Sequence, residues 1–168
     1  MAVPLVPDYL IGSVFELTPE TLRPLGVRVV LADLDNTLAR YREMDPSEAV
    51  CQWRAALAAA GIAVFIVSNG RRPGRSRRFA EGLGTEFVHH AGKPRPGAFR
   101  RALARTGCRA EEALMVGDQI FTDIWGAHNA GIRAALVRPV ALDSAFRRLR
   151  YWVETPFRAL CPHPEGLA

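Results

Sequence analysis

Hydrophobic positions along the chain fall into short apolar runs that alternate with longer segments of helical pattern. The apolar runs predict five strands, at 28–32, 63–67, 86–88, 113–116 and 133–137. The segments between them predict helices at 46–60, 75–82, 96–105 and 123–130. Such alternation is typical of a parallel sheet with helices on both faces. We therefore expect a three-layer α/β fold around a five-stranded parallel sheet.

A further helical pattern covers 143–160, after the last predicted strand. Phe146, Leu149 and Val153 recur at i, i+3 and i+7, which places them on one stripe of a helix, and arginines lie between them. Packing of this stripe onto the domain is the favoured interpretation, and a helix in a membrane interface is the alternative. The chain is thus divided into an α/β domain at 1–142 and a C-terminal basic, aromatic helical tail at 143–168.

Composition and charge narrow the class of protein. The 168 residues suit one domain with one core, and 49% hydrophobic and 23% charged residues argue against a disordered chain. The net charge is +5, and the 22 basic residues comprise 21 arginines and one lysine, Lys93. A basic surface fits anionic partners such as lipid or nucleic acid.

Cysteine usage and the N-terminal residues bear on location. Cys51, Cys108 and Cys161 lie far apart without a Cys-x-x-Cys pair, which fits a reducing compartment. The N-terminal residues lack the basic and apolar regions of a secretory signal. No apolar run approaches the ~20 residues of a membrane span. We expect a cytoplasmic protein without a transmembrane segment, in peripheral contact with a membrane at most.

Polar side chains follow four of the predicted strands at their carboxyl ends. In open parallel sheets, ligands bind in the crevice outside these ends. The candidate site residues are Asp33, Asp35, Ser68, Asn69, Lys93, Asp118 and Asp123. Clustered carboxylates repel one another unless a hard cation neutralises them, and Mg²⁺ with phosphate is the usual solution. A serine, a lysine and loop N–H groups suit the oxygens of a phosphoryl group.

In their order along the chain, these residues resemble the four motifs of the haloacid dehalogenase (HAD) superfamily. The first motif is Asp-x-Asp-x-Thr, beginning at Asp33. The resemblance implies that Asp33 is the nucleophile and a metal ligand, and that a carboxylate attack forms an aspartyl-phosphate. It implies that Asp35 is the general acid/base and binds metal through its backbone carbonyl, and that Thr37 supports the motif.

The remaining three motifs imply the rest of the site. Ser68, Asn69 and Lys93 would hold the transferring phosphoryl group. Asp118 would ligate Mg²⁺, and Asp123 would assist from the metal's surroundings. The implied fold is a Rossmann-like HAD fold, and the implied activity is that of a Mg²⁺-dependent phosphatase.

Further segments are similar to the YqeG-type subfamily of HAD subclass IIIA. They include 5–9, 17–20 and 117–124, and the resemblance covers about 5–139. This subfamily resembles the phosphatidylglycerophosphate phosphatases, which implies dephosphorylation of phosphatidylglycerophosphate to phosphatidylglycerol.

The spacing of the motifs leaves no room for a cap domain. Thirty-one positions separate Thr37 from Ser68, and 25 separate Ser68 from Lys93. We expect an open site that a bulky substrate, a membrane or a partner chain must cover, because an open site excludes water poorly. This favours a lipid headgroup or macromolecule. The arginine run at 71–78 is either a solvated charged face or a guide for anionic lipid.

Other functions remain open at this stage. One keeps the chemistry and changes the substrate to a soluble sugar phosphate, a nucleotide or a nucleic-acid end. Another is a basic RNA- or ribosome-binding module with an idle HAD site, although the complete acidic set disfavours nucleic acid as a partner. A phospho-acceptor signalling domain is disfavoured because Lys93 precedes the Gly117-Asp118 motif.

Overall fold

The computed structural model describes residues 4–70, 72–141 and 144–167. They form one parallel sheet of six strands in the order β1-β6-β5-β2-β3-β4. The strands are β1 (Tyr9–Ile11), β2 (Val29–Ala32), β3 (Ala63–Val67), β4 (Glu86–Val88), β5 (Ala113–Gly117) and β6 (Arg133–Val137).

Helices cover both faces of the sheet. They are α1 (Pro19–Leu22), α2 (Glu48–Ala59), α3 (Pro73–Leu83), α4 (Gly97–Thr106), α5 (Trp125–His128), α6 (Ala145–Val153) and α7 (Thr155–Ala159). A π-helical turn, Ile120–Ile124, leads directly into α5. Within the described ranges, none of these helices has both the length and the apolarity that crossing a membrane requires.

The core lies in two layers, one on each side of the sheet. Alternate residues of the fully buried strand β2 point to opposite sides, as the two-residue period of a strand requires. Val30 contributes to the layer that contains Leu57 of α2 and Phe79 of α3. Leu31 contributes to the layer that contains Phe99 of α4. This confirms the predicted three-layer α/β fold with a parallel sheet.

The prediction of five strands was wrong by one edge strand. β1 has three residues and pairs with β6, with Tyr9 opposite Ala135. So short a run shows no alternation of its own, and the pairing with β6 defines it as a strand. The helix predicted over 123–130 is in fact the π-helical turn followed by the four-residue α5.

The tail also differs from its prediction. It contains two helices, α6 and α7, separated at Glu154, rather than one. Glu154 is fully buried and accepts a hydrogen bond from the Ile120 N–H, and Pro156 lacks the N–H that a continuous helix would use. The stripe that was expected to pack on the domain is exposed instead, at Phe146, Leu149 and Val153. The proposed boundary at 142/143 lies outside the described residues.

Strand register brings the candidate residues to one edge of the sheet. Ala32, the last residue of β2, pairs with Ile66 of β3 and with Val116 of β5. All three strands are parallel, so the loops that follow them leave the sheet on the same side. The loops after β2, β3 and β5 therefore meet above the centre of the sheet.

A buried indole ties the N-terminal segment to α2. The Trp53 Nε1–H donates to the Leu17 carbonyl at 2.9 Å, and both residues are buried. A buried acceptor that loses its donor retains the cost of its desolvation, about 1–3 kcal/mol.

We predict that Trp53→Phe lowers the free energy of unfolding by about 2 kcal/mol, because the Leu17 carbonyl then stays buried without its donor. Urea denaturation of the parent and the variant measures the difference. An unchanged denaturation midpoint would show that this hydrogen bond does not hold the segment.

Candidate active site

The loop after β2 presents Asp33 to the site. The Asp33 N–H donates to the Val116 carbonyl at 2.9 Å, which keeps the residue in line with the sheet. The chain then reverses, as the N–H groups of Leu38 and Ala39 both donate to the Leu34 carbonyl at 3.2 Å. Asn36 takes a left-handed conformation with φ of +63°, which asparagine tolerates better than most residues. A tight turn thus fixes the Asp33 side chain, which is 6% exposed.

Lys93 lies at the centre of the site. Its Nζ is 2.6 Å from Asp33 Oδ1 and 2.6 Å from Asp123 Oδ1, and it donates to the Val67 carbonyl at 2.8 Å. An ammonium group has three protons, so all three have an acceptor. The ammonium therefore joins the loops after three different strands.

The loop after β3 holds the backbone of Lys93 in place. The Asn69 side-chain amide accepts from the Lys93 N–H at 3.0 Å and donates to the Lys93 carbonyl at 3.1 Å. The Lys93–Pro94 peptide bond is cis. The neighbouring hydroxyl of Ser68 is fully buried and accepts from the Gly70 N–H at 3.0 Å. Asn69 thus holds the Lys93 backbone in position and also lines the cleft.

The loop after β5 supplies two more carboxylates, Asp118 and Asp123. The π-helical turn folds Asp123 back onto Gly117, where any Cβ would overlap the Asp123 side chain, so this position requires glycine. Asp123 Oδ2 accepts from the Gln119 N–H at 3.1 Å, which closes the loop on itself. Both carboxylates are buried, at 2% and 1% exposure.

Three buried carboxylates form a set that could hold a metal ion. Asp33, Asp118 and Asp123 each offer an oxygen, and these oxygens all lie within 4.8 Å of one another. Asp33 Oδ2 and Asp118 Oδ1 are buried and have no hydrogen-bond partner. Buried carboxylate oxygens without donors are the ligands that a hard cation such as Mg²⁺ takes. The residues present therefore fit the expected cation.

Burial changes the acid–base behaviour of the cluster. It raises the pKa of Asp33 to about 7, against the opposing charge of Lys93 and with a further contribution from Asp123. It raises the pKa of Asp118 to about 8, helped by the charges of Asp123 and Asp33. For Lys93, burial acts to lower the pKa, but the charges of Asp123 and Asp33 outweigh it and raise the pKa. The ammonium stays charged, and the two carboxylates need a further cation to ionise easily.

Asp35 is positioned by a buried arginine that the sequence interpretation placed on a surface run. Arg75 Nη1 donates to Asp35 Oδ1 at 2.7 Å. Its other nitrogens donate to the carbonyls of Glu43 and Arg40, each at 2.8 Å. The guanidinium thus joins α3 to the loop that carries Asp35. Its charge is used inside the protein and does not guide an anion from outside.

The other arginines of the run at 71–78 differ in their surroundings. Arg78 pairs with Asp45 on the surface through two hydrogen bonds of 2.6 Å. Arg72 is exposed and lies over the ring of Tyr41, with 5.6 Å between its guanidinium carbon and the ring centre. Arg71 lies outside the described residues. Arg72 stands beside the cleft, because Tyr41 lines it.

The tail supplies two site residues that sequence reasoning missed. Arg150 Nη2 contacts Asp118 Oδ2 at 3.4 Å, and its Nε is buried without a partner. Glu154 Oε1 accepts from the Ile120 N–H at 3.0 Å, and Glu154 Oε2 accepts from Arg158 at 3.0 Å. The contacts of Arg150 with Asp118 and of Glu154 with Ile120 cross more than thirty positions, and no local pattern in the sequence signals them. The tail is thereby joined to the loop that carries Asp118.

A cleft of about 560 Å³ opens over these groups. The structure brings Asp33, Lys93, Asp118 and Asp123 into direct proximity. It places the Asp35 side chain against Arg75 and outside the carboxylate cluster, and it buries the Thr37 hydroxyl without a partner. The cleft is lined by Asp33, Asp35, Asn36, Tyr41, Asn69, Gly70, Lys93, Gln119, Thr122, Ser144, Phe146 and Arg150.

Known proteins are similar to this chain in sequence and in fold. A family model described as HAD-hydrolase-like matches residues 90–141. The probable phosphatase YqeG of Bacillus subtilis is 35% identical over 141 residues, which are 84% of this chain and 81% of that protein. A phospholysine phosphohistidine inorganic pyrophosphate phosphatase of Xenopus laevis is 55% identical over 47 residues, 28% of this chain and 17% of that protein.

A solved structure agrees at the level of the fold. The cobalt-bound deoxy-D-mannose-octulosonate 8-phosphate phosphatase of Haemophilus influenzae has a TM-score of 0.55 and 18% sequence identity, and the match covers 77% of each chain. The identity to YqeG over most of both chains, with the family-model match, confirms the resemblance to the HAD superfamily that the four motifs indicated. The chain belongs to the HAD superfamily and, within it, to the family of the probable phosphatase YqeG, and it is a HAD phosphatase.

Proposed function

We propose that the chain hydrolyses a phosphomonoester with Mg²⁺ and an aspartyl-phosphate intermediate on Asp33, and that the ester is phosphatidylglycerophosphate. The observation that carries this proposal is the state of the Asp33 carboxylate. Oδ1 is held by Lys93 at 2.6 Å, whereas Oδ2 is buried beside two further carboxylates and has no partner. Lys93 thus orients one oxygen, and no hydrogen-bond donor on the protein competes with a cation or a substrate for the other.

In the first step, a carboxylate oxygen of Asp33 forms a bond to phosphorus while the bond from phosphorus to the ester oxygen breaks. Asp35 gives the leaving oxygen its proton. In the second step, water attacks phosphorus, Asp35 takes the water's proton, and the bond to Asp33 breaks to release phosphate. Arg75 orients the Asp35 carboxylate through its 2.7 Å hydrogen bond, so proton transfer starts from a fixed position.

The other candidate residues bind and orient. Ser68 and Asn69 would hold the phosphoryl oxygens, Lys93 would help to hold them through the charge of its ammonium, and Thr37 would support the turn that carries Asp33. Asp33, Asp118, Asp123 and the backbone carbonyl of Asp35 would hold Mg²⁺. When bound, this cation neutralises the carboxylates and the phosphoryl charge.

The walls of the cleft favour a lipid substrate. Beside the acidic centre stand two aromatic side chains, Tyr41 and Phe146, and the guanidinium of Arg150. These groups suit an anionic headgroup that continues into an apolar part. The motif spacing leaves no room for a cap, so a substrate attached to a membrane can reach the cleft. The proposed location is accordingly the cytoplasm, with peripheral membrane contact.

We predict that Asp33→Asn lowers phosphate release by about 10³-fold or more, because the amide is a poor nucleophile. Release is measured from phosphatidylglycerophosphate in mixed micelles and from p-nitrophenyl phosphate. Asp45→Asn is the matched control, since that carboxylate pairs with Arg78 on the surface, and it should keep the parental rate. Parental turnover by Asp33→Asn would refute the mechanism.

The same assay separates the candidate substrates. The proposal requires kcat/KM for the lipid to exceed that for soluble phosphate esters. A higher value for a sugar phosphate or nucleotide would assign the chain to a soluble ester. No release from any ester, combined with steeply salt-dependent RNA binding, would favour a basic RNA-binding module.

The raised pKa values of Asp33 and Asp118, about 7 and about 8, predict how Mg²⁺ binding depends on pH. Unfolded aspartates have a pKa of about 3.9. Between about pH 4 and 8, the folded metal-free chain therefore keeps protons on Asp33 and Asp118 that the unfolded chain has released. The stability that these protons contribute is fully present below about pH 4 and is lost progressively as the pH rises from there through 7 to 8. Mg²⁺ competes with the same protons, so it should stabilise the protein more at pH 8.5 than at pH 6.

Thermal unfolding with EDTA and with saturating Mg²⁺ at both pH values measures this effect. We expect Mg²⁺ to raise Tm by about 5 °C or more at pH 8.5 and by less at pH 6. Asp118→Asn should lose most of the shift, whereas Asp45→Asn should keep it. Equal shifts at both pH values, or a full shift in Asp118→Asn, would contradict metal binding at this cluster.

A further inference from the structure

Helix α6 presents its apolar stripe to solvent. A surface helix normally buries this stripe against the core. In α6 the side chains of Phe146, Leu149, Trp152 and Val153 are 72%, 59%, 73% and 45% exposed. Three of these large side chains are more than half exposed within a helix of nine residues. Together they form an unpartnered apolar surface, and such a surface usually marks an interaction site.

Contacts of residues outside the apolar stripe keep this orientation. Arg150 contacts Asp118 in the cleft, and Tyr151 stacks on the Arg158 guanidinium at 3.6 Å from its ring centre. Directly after α6, the buried Glu154 accepts the Ile120 N–H. Turning the apolar stripe inward would break all three contacts. The exposed stripe is therefore part of the folded arrangement.

The charge on α6 indicates what covers the stripe. The helix carries three arginines and no acidic residue. A second copy of the chain, docked stripe to stripe, would bring together two basic helices from chains of net charge +5, which costs free energy through repulsion. An anionic lipid surface instead attracts them, while aromatic and leucine side chains enter the headgroup region. The charge complements a membrane and opposes a dimer.

The stripe also adjoins the mouth of the cleft, because Phe146 and Arg150 line that cleft. We propose that α6 is an interfacial helix whose outward stripe of Phe146, Leu149, Trp152 and Val153 enters an anionic bilayer and places the cleft at the lipid surface. This use of the helix rests on the proposed lipid substrate. The membrane closes the side of the cleft that no cap covers.

The test uses the full chain and vesicles that contain no phosphomonoester. Binding is measured by cosedimentation with vesicles of phosphatidylcholine alone and of phosphatidylcholine with phosphatidylserine. The parent should bind the anionic vesicles and bind the neutral ones at least tenfold more weakly. Leu149→Gln/Trp152→Gln should bind the anionic vesicles at least tenfold more weakly than the parent. Phe15→Gln, an exposed aromatic in a groove beside Trp53, is the matched control and should bind as the parent does.

Two further measurements separate this surface from the proposed chemistry. Leu149 and Trp152 do not line the cleft, so the double variant should hydrolyse p-nitrophenyl phosphate at the parental rate. Asp33→Asn should bind vesicles as the parent does. Vesicle binding without hydrolysis of the lipid phosphomonoester would refute the proposed substrate and still support the docking surface.

Three results would overturn the proposal. The first is a parent that does not bind anionic vesicles. The second is a double variant that binds them as tightly as the parent. The third is a parent that dimerises without lipid while the double variant stays monomeric, which would assign the stripe to a second copy of the chain.

Discussion

The ammonium of Lys93, held between two buried carboxylates, is the interaction on which the site depends. It contacts Asp33 and Asp123, and its third proton goes to the Val67 carbonyl. Without this charge, Asp33, Asp118 and Asp123 would be three buried acids at close quarters, which is costly. The chain otherwise uses arginine for its basic residues. A planar guanidinium cannot direct three protons to three acceptors around one nitrogen, so this position requires lysine.

The fold brings the partners of Lys93 together through strand register. Asp33 follows β2, Val67 ends β3, and Asp123 belongs to the loop after β5, and these three strands are neighbours in one parallel sheet. Asn69 then holds the Lys93 backbone from both sides. The tail adds a second connection, since Glu154 binds the turn between Asp118 and Asp123. The orientation of α6 and the geometry of the carboxylates are thus parts of one arrangement.

Much of this arrangement follows from local sequence patterns. β2, β3 and β5 are apolar runs with polar residues at their carboxyl ends, so the fold class and the neighbourhood of Asp33, Ser68 and Asp118 could be predicted. Features that depend on tertiary contact could not. β1 is a strand because β6 pairs with it. The sequence does not distinguish Arg75 from a surface arginine, because its contacts with Asp35 and two backbone carbonyls form only in the folded chain. The period of α6 predicts a stripe but cannot say which way the stripe faces, because Glu154 and Arg150 decide that through distant partners.

Comparing Lys93→Arg with Lys93→Met tests most directly whether the three-acceptor geometry of this ammonium organises the site. Phosphate release from p-nitrophenyl phosphate at saturating Mg²⁺ is the readout, with unfolding temperature as the check on folding. The account predicts that both variants fold and that both lose turnover by about 10²-fold or more, because retaining the charge in arginine does not restore the tetrahedral set of donors. Parental turnover by Lys93→Arg would contradict it, since charge alone would then suffice.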